Sequence, residues 1–242
     1  MEENKAVINL KNNGVCVVKS VFNKNEIDKL KIKYDNINYH INNNIKYSNR
    51  EIYNYYTHYD REYHYKKNFY KVDNFDVIEI NKGRYDISVP YDLEKKDIIN
   101  KVIKNFIKKN YKSKWGILTS DSKSMDGPWH RDTINLDGDA DEHGNYDDSN
   151  VVHNFNPFYF TVLIPLVDMN KDNGSTEFIL GSHNLTYQES LKKEHIQFET
   201  KIGDIIIFDG RIFHRGRENN TDSSRPVVYN MIHRDWYVET GD

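Results

Sequence analysis

Gly203-Asp204-Ile205-Ile206-Ile207-Phe208-Asp209-Gly210, with His214 four residues further on, is the stretch from which the rest of the chain is read. Gly-Asp opens a tight turn and Asp-Gly closes the segment. The apolar run between them is too short for a helix and rich in β-branched residues, so it reads as a strand covered on both faces. His214 then falls just after Phe213, near the start of the next strand. Working outward, short apolar segments bounded by turns recur at 115–120, 158–167, 176–180, 196–201 and 226–237. The part before them is different. A short strand at 14–19 precedes a helix capped by Asn23 or Asn25, with Ile27, Leu30, Tyr34, Ile37 and Ile41 at helical spacing. A strand follows at 75–80, and a second amphipathic helix at 93–109 carries Ile98, Ile99, Val102, Ile103, Phe106 and Ile107. Residues 42–74 show no clean period and leave a loop, a lid or short helices open. The expected architecture is mainly β with flanking helices, a barrel or sandwich in one domain over 1–242. Residues 1–113 form its helix-rich part with the first strands, and 114–242 its β core.

The bulk properties exclude some function classes. A formal net charge of −3, with Lys and Asp/Glu interspersed, leaves no basic stripe to track phosphates, so no nucleic-acid partner is expected. Hydrophobic residues are only 37 %, and aromatics at 13 % supply core volume in place of Leu and Ala. The single cysteine, Cys16, has no partner for an intramolecular disulfide and sits in an apolar run, so a buried thiol and a reducing cytoplasm are expected. No stretch is apolar enough to span a bilayer, and the N-terminus has no signal-peptide core. The acidic run 137–150 (DGDADEHGNYDDSN) lacks the complete calcium-loop pattern and reads as a solvated insertion.

Trp129-His130-Arg131-Asp132 carries the first chemical signal. On a strand, residues two apart share a face, so His130 and Asp132 can bind one ion together. A distant second imidazole, His214, completes the two-His-one-carboxylate set that leaves half of a metal's coordination sphere open. Alone, His-x-Asp reads as a pair on an exposed strand end, and His214 also reads as a hydrogen-bonded core histidine. Arg225, eleven residues past His214, opens an apolar strand. A guanidinium there needs an anion, either a carboxylate ligand held in a bidentate fork or a surface ion pair with Glu218 or Asp222.

Taken in order, these elements resemble the phytanoyl-CoA dioxygenase-like family of iron(II)/2-oxoglutarate oxygenases. The resemblance extends to Asn173-Gly174 with Gly181-Ser182-His183, to Gly83-Arg84-Tyr85-Asp86, and to the N-terminal strand-then-helix opening. Leu180 replaces the proline usual before Gly-Ser-His. The resemblance implies a double-stranded β-helix, a jelly roll of cupin-like form. It implies His130, Asp132 and His214 as catalytic iron ligands and Arg225 as the anchor of 2-oxoglutarate. His183 would lie near the co-substrate or support its loop, and Thr161 would offer a hydroxyl partner, with Tyr159 as a weaker one. Iron(II), 2-oxoglutarate and O2, with ascorbate in support, would oxidise a small-molecule substrate and release succinate and CO2. Because Asp132 fills the position that related halogenases keep small, hydroxylation is expected over halogenation. A non-catalytic β-helix binding protein, a zinc hydrolase, and the same chemistry on a peptide side chain remain as alternatives. The Tyr-rich stretch 53–70 is read as packing or as a pocket wall, and its His58 and His64 have no partner at ligand spacing.

Overall fold

The computed structural model describes residues 2–44, 51–53, 66–72, 75–81, 83–89, 96–108, 110–133 and 155–237. The acidic run 137–150 and His58 and His64 lie outside them. In chain order the elements are α1 (Glu2–Asn13), β1 (Val15–Val18), α2 (Lys24–Asn44), β2 (Glu51–Tyr53), β3 (Lys66–Val72), β4 (Phe75–Asn81), β5 (Arg84–Val89), α3 (Asp97–Lys104) and β6 (Tyr111–Ser120). There follow β7 (Tyr159–Pro165), β8 (Thr176–Ile179), a 3-10 turn (Ser182–Asn184), α4 (Tyr187–Ser190), β9 (His195–Gln197), β10 (Ile205–Asp209), β11 (His214–Gly216) and β12 (Arg225–Arg234). Among these residues a nine-stranded antiparallel sheet runs β1-β10-β7-β12-β6-β5-β4-β3-β2, and a smaller sheet runs β11-β8-β9.

The isoleucine run of β10 explains the layering. Ile205 and Ile207 join the core beneath the helices, whereas Ile206 and Phe208 join the core between the sheets. Strand β7 alternates in the same way: Phe160, Val162 and Ile164 face the helices, and Leu163 faces the small sheet. On β12, Val228 and Ile232 lie outside, with Val227 and Tyr229 inside. A strand between two apolar layers has no solvent face, which is why β10 reads as an unbroken apolar run. The helix side is closed by Ala6, Val7 and Leu10 of α1, Ile27, Tyr34 and Ile37 of α2, and Ile99, Val102 and Ile103 of α3. Cys16 is buried there, and burial pushes its thiol up to about 12.

Local chemistry fixes the helix ends. Asn23 is the cap of α2: Glu26 N–H donates to Asn23 Oδ1 (3.1 Å) and Asn23 N–H to Glu26 Oε2 (2.8 Å), a reciprocal capping box. The second expected helix is shorter than its apolar pattern, spanning Asp97–Lys104. Helix α1 is absent from the sequence reading because its buried stripe is only three residues. It ends at Gly14, whose N–H still donates to the Leu10 carbonyl and whose φ of +76° turns the chain out of the helix into β1. Part of 42–74, left open by the sequence, supplies β2 and β3. Strand β6 runs across residue 113, where the sequence places the change to β-rich character. No helix among the described residues is long and apolar enough to cross a membrane.

Candidate metal centre

The period-two argument expects His130 and Asp132 on one strand, and the structure realises this in a different way. His130 pairs with the first residue of β11 in a single bridge: each N–H of His130 and His214 donates to the other's carbonyl at 3.0 Å. This bridge sets both imidazoles side by side, ring centroids 4.3 Å apart, at the open edge of the small sheet. The chain then bends, and the N–H groups of Asp132 and Thr133 both donate to the Gly210 carbonyl (2.8 and 3.2 Å). Gly210 closes β10 and begins the turn that leads to His214, so one turn positions the whole set. A buried pair braces it: Arg211 forks onto Asp209 (2.9 and 2.6 Å) and donates to the Phe155 carbonyl (2.7 Å).

The result is convergence. His214 Nε2 lies 3.3 Å and His130 Nε2 3.8 Å from Asp132 Oδ1, and the three ligand atoms lie within 4.8 Å of one another. Each ring places Nδ1 against the carbonyl two residues earlier, His130 on Pro128 (3.0 Å) and His214 on Ile212 (3.1 Å). With Nδ1–H donated there, the Nε2 lone pair faces Asp132, the tautomer a metal requires. Burial alone would push the Asp132 carboxyl up, but positive charge on His214 and His130, which a bound cation would replace, and the Thr161 hydroxyl hold it below the usual carboxylate range. Two neutral imidazoles and one carboxylate at these separations fit a divalent cation of the iron(II) class.

Thr161, on β7, donates its hydroxyl to Asp132 Oδ2 at 2.5 Å, leaving Oδ1 to face the imidazoles. Its role is thus a hold on the ligand carboxylate. Thr161→Val keeps the shape and removes that bond; iron affinity is expected to fall by roughly 10- to 100-fold, the range for outer partners of metal ligands. Titration of the variant with iron(II) checks this, and unchanged affinity would remove Thr161 from the centre.

Arg225 is buried at the start of β12, and among the described residues no carboxylate pairs with it, Glu218 and Asp222 included. Its Nη2 donates to Ser120 Oγ (2.8 Å), and its Nε has no partner among the described residues. Arg84 reaches the same oxygen from the other side (2.8 Å), because Arg84, Ser120 and Arg225 stand opposite one another across β5, β6 and β12. Arg84 also donates to the carbonyls of Met125 and Arg217, passing Gly216 where a Cβ would collide with it. Burial, and then the neighbouring Arg84 charge, lower the Arg225 guanidinium to about 9. Ser120 and Arg84 were not predicted as site residues; Gly83-Arg84-Tyr85-Asp86 was the available signal, without a distance.

His183 lies beside the end of α1. Its Nε2 lies near the Lys11 carbonyl (3.3 Å) and the Asn184 amide (2.9 Å), and its ring packs on Gly14. Burial lowers its affinity for a proton. It supports the loop that docks on the end of α1, where Gly181 N–H meets the Asn13 carbonyl. Its neighbour Ser182 acts nearer the centre, accepting the Phe213 N–H at 2.8 Å and so fixing the approach to His214. Arg131 points away from the ligand atoms, lies over the Phe213 ring (4.1 Å) and donates to the Leu185 carbonyl (2.5 Å).

The fold is similar to AviO1 from Streptomyces viridochromogenes Tue57, with a TM-score of 0.66 at 13 % identity, covering 98 % of this chain and 97 % of that one. The epimerase SnoN, solved with Fe3+, alpha ketoglutarate and nogalamycin RO, aligns with a TM-score of 0.63 at 12 % identity, over 99 % of this chain and 87 % of that one. In sequence, the Fe(II)/2-oxoglutarate-dependent dioxygenase nvfF of Aspergillus novofumigatus is 36 % identical over 67 residues, 27 % of this chain and 22 % of that protein. The chain matches less than a quarter of the length of these curated relatives. The two sheets are those of a double-stranded β-helix, and the model of phytanoyl-CoA dioxygenase (PhyH) matches residues 10–227: the chain belongs to that family.

Proposed function

We propose that the protein is an iron(II)- and 2-oxoglutarate-dependent dioxygenase, a single-domain enzyme that hydroxylates a small molecule. The observation that carries this reading is Arg225, an enclosed cation with no carboxylate partner among the described residues, on the sheet that faces the His130, Asp132 and His214 set. A buried unpaired charge is costly, and a carboxylate-bearing ligand relieves that cost.

His130, Asp132 and His214 would hold the metal, Asp132 supplying the one formal negative charge. Bound iron(II) supplies activation of O2 coupled to decarboxylation of 2-oxoglutarate, with ascorbate as a supporting reductant. Arg225 receives the far carboxylate through Nε and the guanidinium edge. Ser120, whose oxygen already accepts from both arginines, turns its own proton toward the same anion. Between Arg225 and the Thr161 row, the inner face carries Val227, Tyr229, Leu163 and Leu118, an apolar wall suited to the methylenes of a dicarboxylate and to excluding water. Structures of similar fold hold nogalamycin RO and hygromycin B, which supports a small-molecule substrate here. A reducing cytoplasm suits both the lone thiol and a ferrous centre.

The test is succinate release by the full chain given iron(II), 2-oxoglutarate, ascorbate and a metabolite panel. Iron- and 2-oxoglutarate-dependent succinate is the expected result. Binding of both without any succinate would make the protein a ligand-binding module, and binding of neither would end the assignment.

A further inference from the structure

Met231 lies one strand across from the residue that holds the ligand carboxylate. It faces Thr161 in the β12–β7 register, and Thr161 donates to Asp132. Two residues before Thr161, on the same face of β7, Tyr159 donates its hydroxyl to Met231 Sδ (2.6 Å). The Tyr159 carbonyl accepts the Gly210 N–H (2.8 Å), and the Gly210 carbonyl holds Asp132. The thioether therefore meets the Tyr159 hydroxyl on the same face as Thr161, whose own hydroxyl grips the Asp132 carboxylate. The other described methionines are placed differently: Met125 is 59 % exposed and Met169 is 1 % exposed. Met231 is half-buried.

We propose that Met231 is a self-oxidation site: when the centre turns over without substrate, one oxygen atom is delivered to its sulfur. This rests on the dioxygenase reading above. The step balances. The O–O bond of O2 breaks, one oxygen forms the S=O bond of methionine sulfoxide, and the other enters succinate as the C1–C2 bond of 2-oxoglutarate breaks to release CO2. Sulfur gives up two electrons and the cleaved C–C bond two more, which completes the four-electron reduction of O2 with no net proton. A thioether is chemically apt, because its lone pairs accept an oxygen atom without loss of a hydrogen. The product is polar and branched at sulfur, and it replaces a weak acceptor for the Tyr159 hydroxyl with a strong one.

Position separates this from adventitious damage. A diffusing oxidant attacks by exposure and reaches Met125 before Met231. Oxygen delivered from the centre reverses that order. The full chain is incubated with iron(II), 2-oxoglutarate, catalase and isotopically heavy O2, without substrate, and its peptides are weighed. The expected result is one heavy oxygen on Met231, in excess over Met125, rising with succinate and absent when 2-oxoglutarate is omitted. Asp132→Ala is expected to lose the label, and Met231→Leu to lose it from that peptide. Succinate formed with no label on Met231, or with Met125 labelled first, overturns the proposal and leaves the dioxygenase reading standing. No succinate and no binding of 2-oxoglutarate removes both.

Discussion

Asp132→Ala is expected to abolish iron(II) binding and succinate formation together. Asp132 is the one carboxylate of the set, and its Oδ1 lies between the Nε2 atoms of His130 and His214 at 3.8 and 3.3 Å. Its removal leaves two neutral imidazoles to hold a doubly charged ion, with no charge to offset it. Loss of an outer partner already costs roughly 10- to 100-fold in affinity, so loss of the ligand itself should cost at least about 100-fold. Asp132→Asn separates charge from shape, since its amide keeps an oxygen near the Thr161 hydroxyl but carries no negative charge. Circular dichroism of both variants establishes that the fold is kept. If Asp132→Ala retained wild-type turnover, the centre would be misassigned.

Arg225→Ala is expected to show the complementary pattern: iron affinity kept, 2-oxoglutarate affinity lost. Truncating one partner of a buried, hydrogen-bonded charge pair costs about 2–5 kcal/mol. At about 1.4 kcal/mol per tenfold, that is from roughly thirtyfold to a few thousandfold in Kd. Arg225→Lys should restore only part of it, because a point charge lacks the planar fork. The wild-type residue also predicts a pH profile. In the free protein, burial and Arg84 bring the guanidinium down to about 9. The charged form binds the dianion, so affinity holds below that value and falls as pH rises through it. Isothermal titration of 2-oxoglutarate between pH 7 and 10 reads this directly. A flat profile, or full affinity in the alanine variant, would place the co-substrate elsewhere.

How much of this was legible in the chain differs from residue to residue. The buried strand at 205–209 was readable because both its faces are covered, so the apolar run is its own signal. His130, Asp132 and His214 were readable as chemistry but not as geometry. Of the pair two residues apart only His130 sits in a strand-like bridge, and Asp132 is placed by the Gly210 carbonyl, 78 residues away in sequence. Backbone hydrogen bonds of that kind leave no trace in side-chain pattern. Arg225 announced itself as a charge in an apolar setting, whereas Ser120 and Arg84 depend on the register of β5, β6 and β12, which composition does not encode. Thr161 was anticipated near the co-substrate, and what could not be read was the side chain it would grip. Helix α1 escaped for a simpler reason: a three-residue stripe is too little periodicity to read.

The Nδ1 contacts of the two histidines carry a consequence for how this site can change over time. In many metal centres the ring is oriented by a carboxylate or amide side chain, and a substitution there retunes or spoils the ligand. Here each imidazole leans on the peptide carbonyl two residues behind it, Pro128 for His130 and Ile212 for His214. A carbonyl is present whatever the residue. The tautomer is therefore inherited with the local path of the chain, and surrounding side chains are free to drift toward new substrates without touching the ligands' readiness to bind.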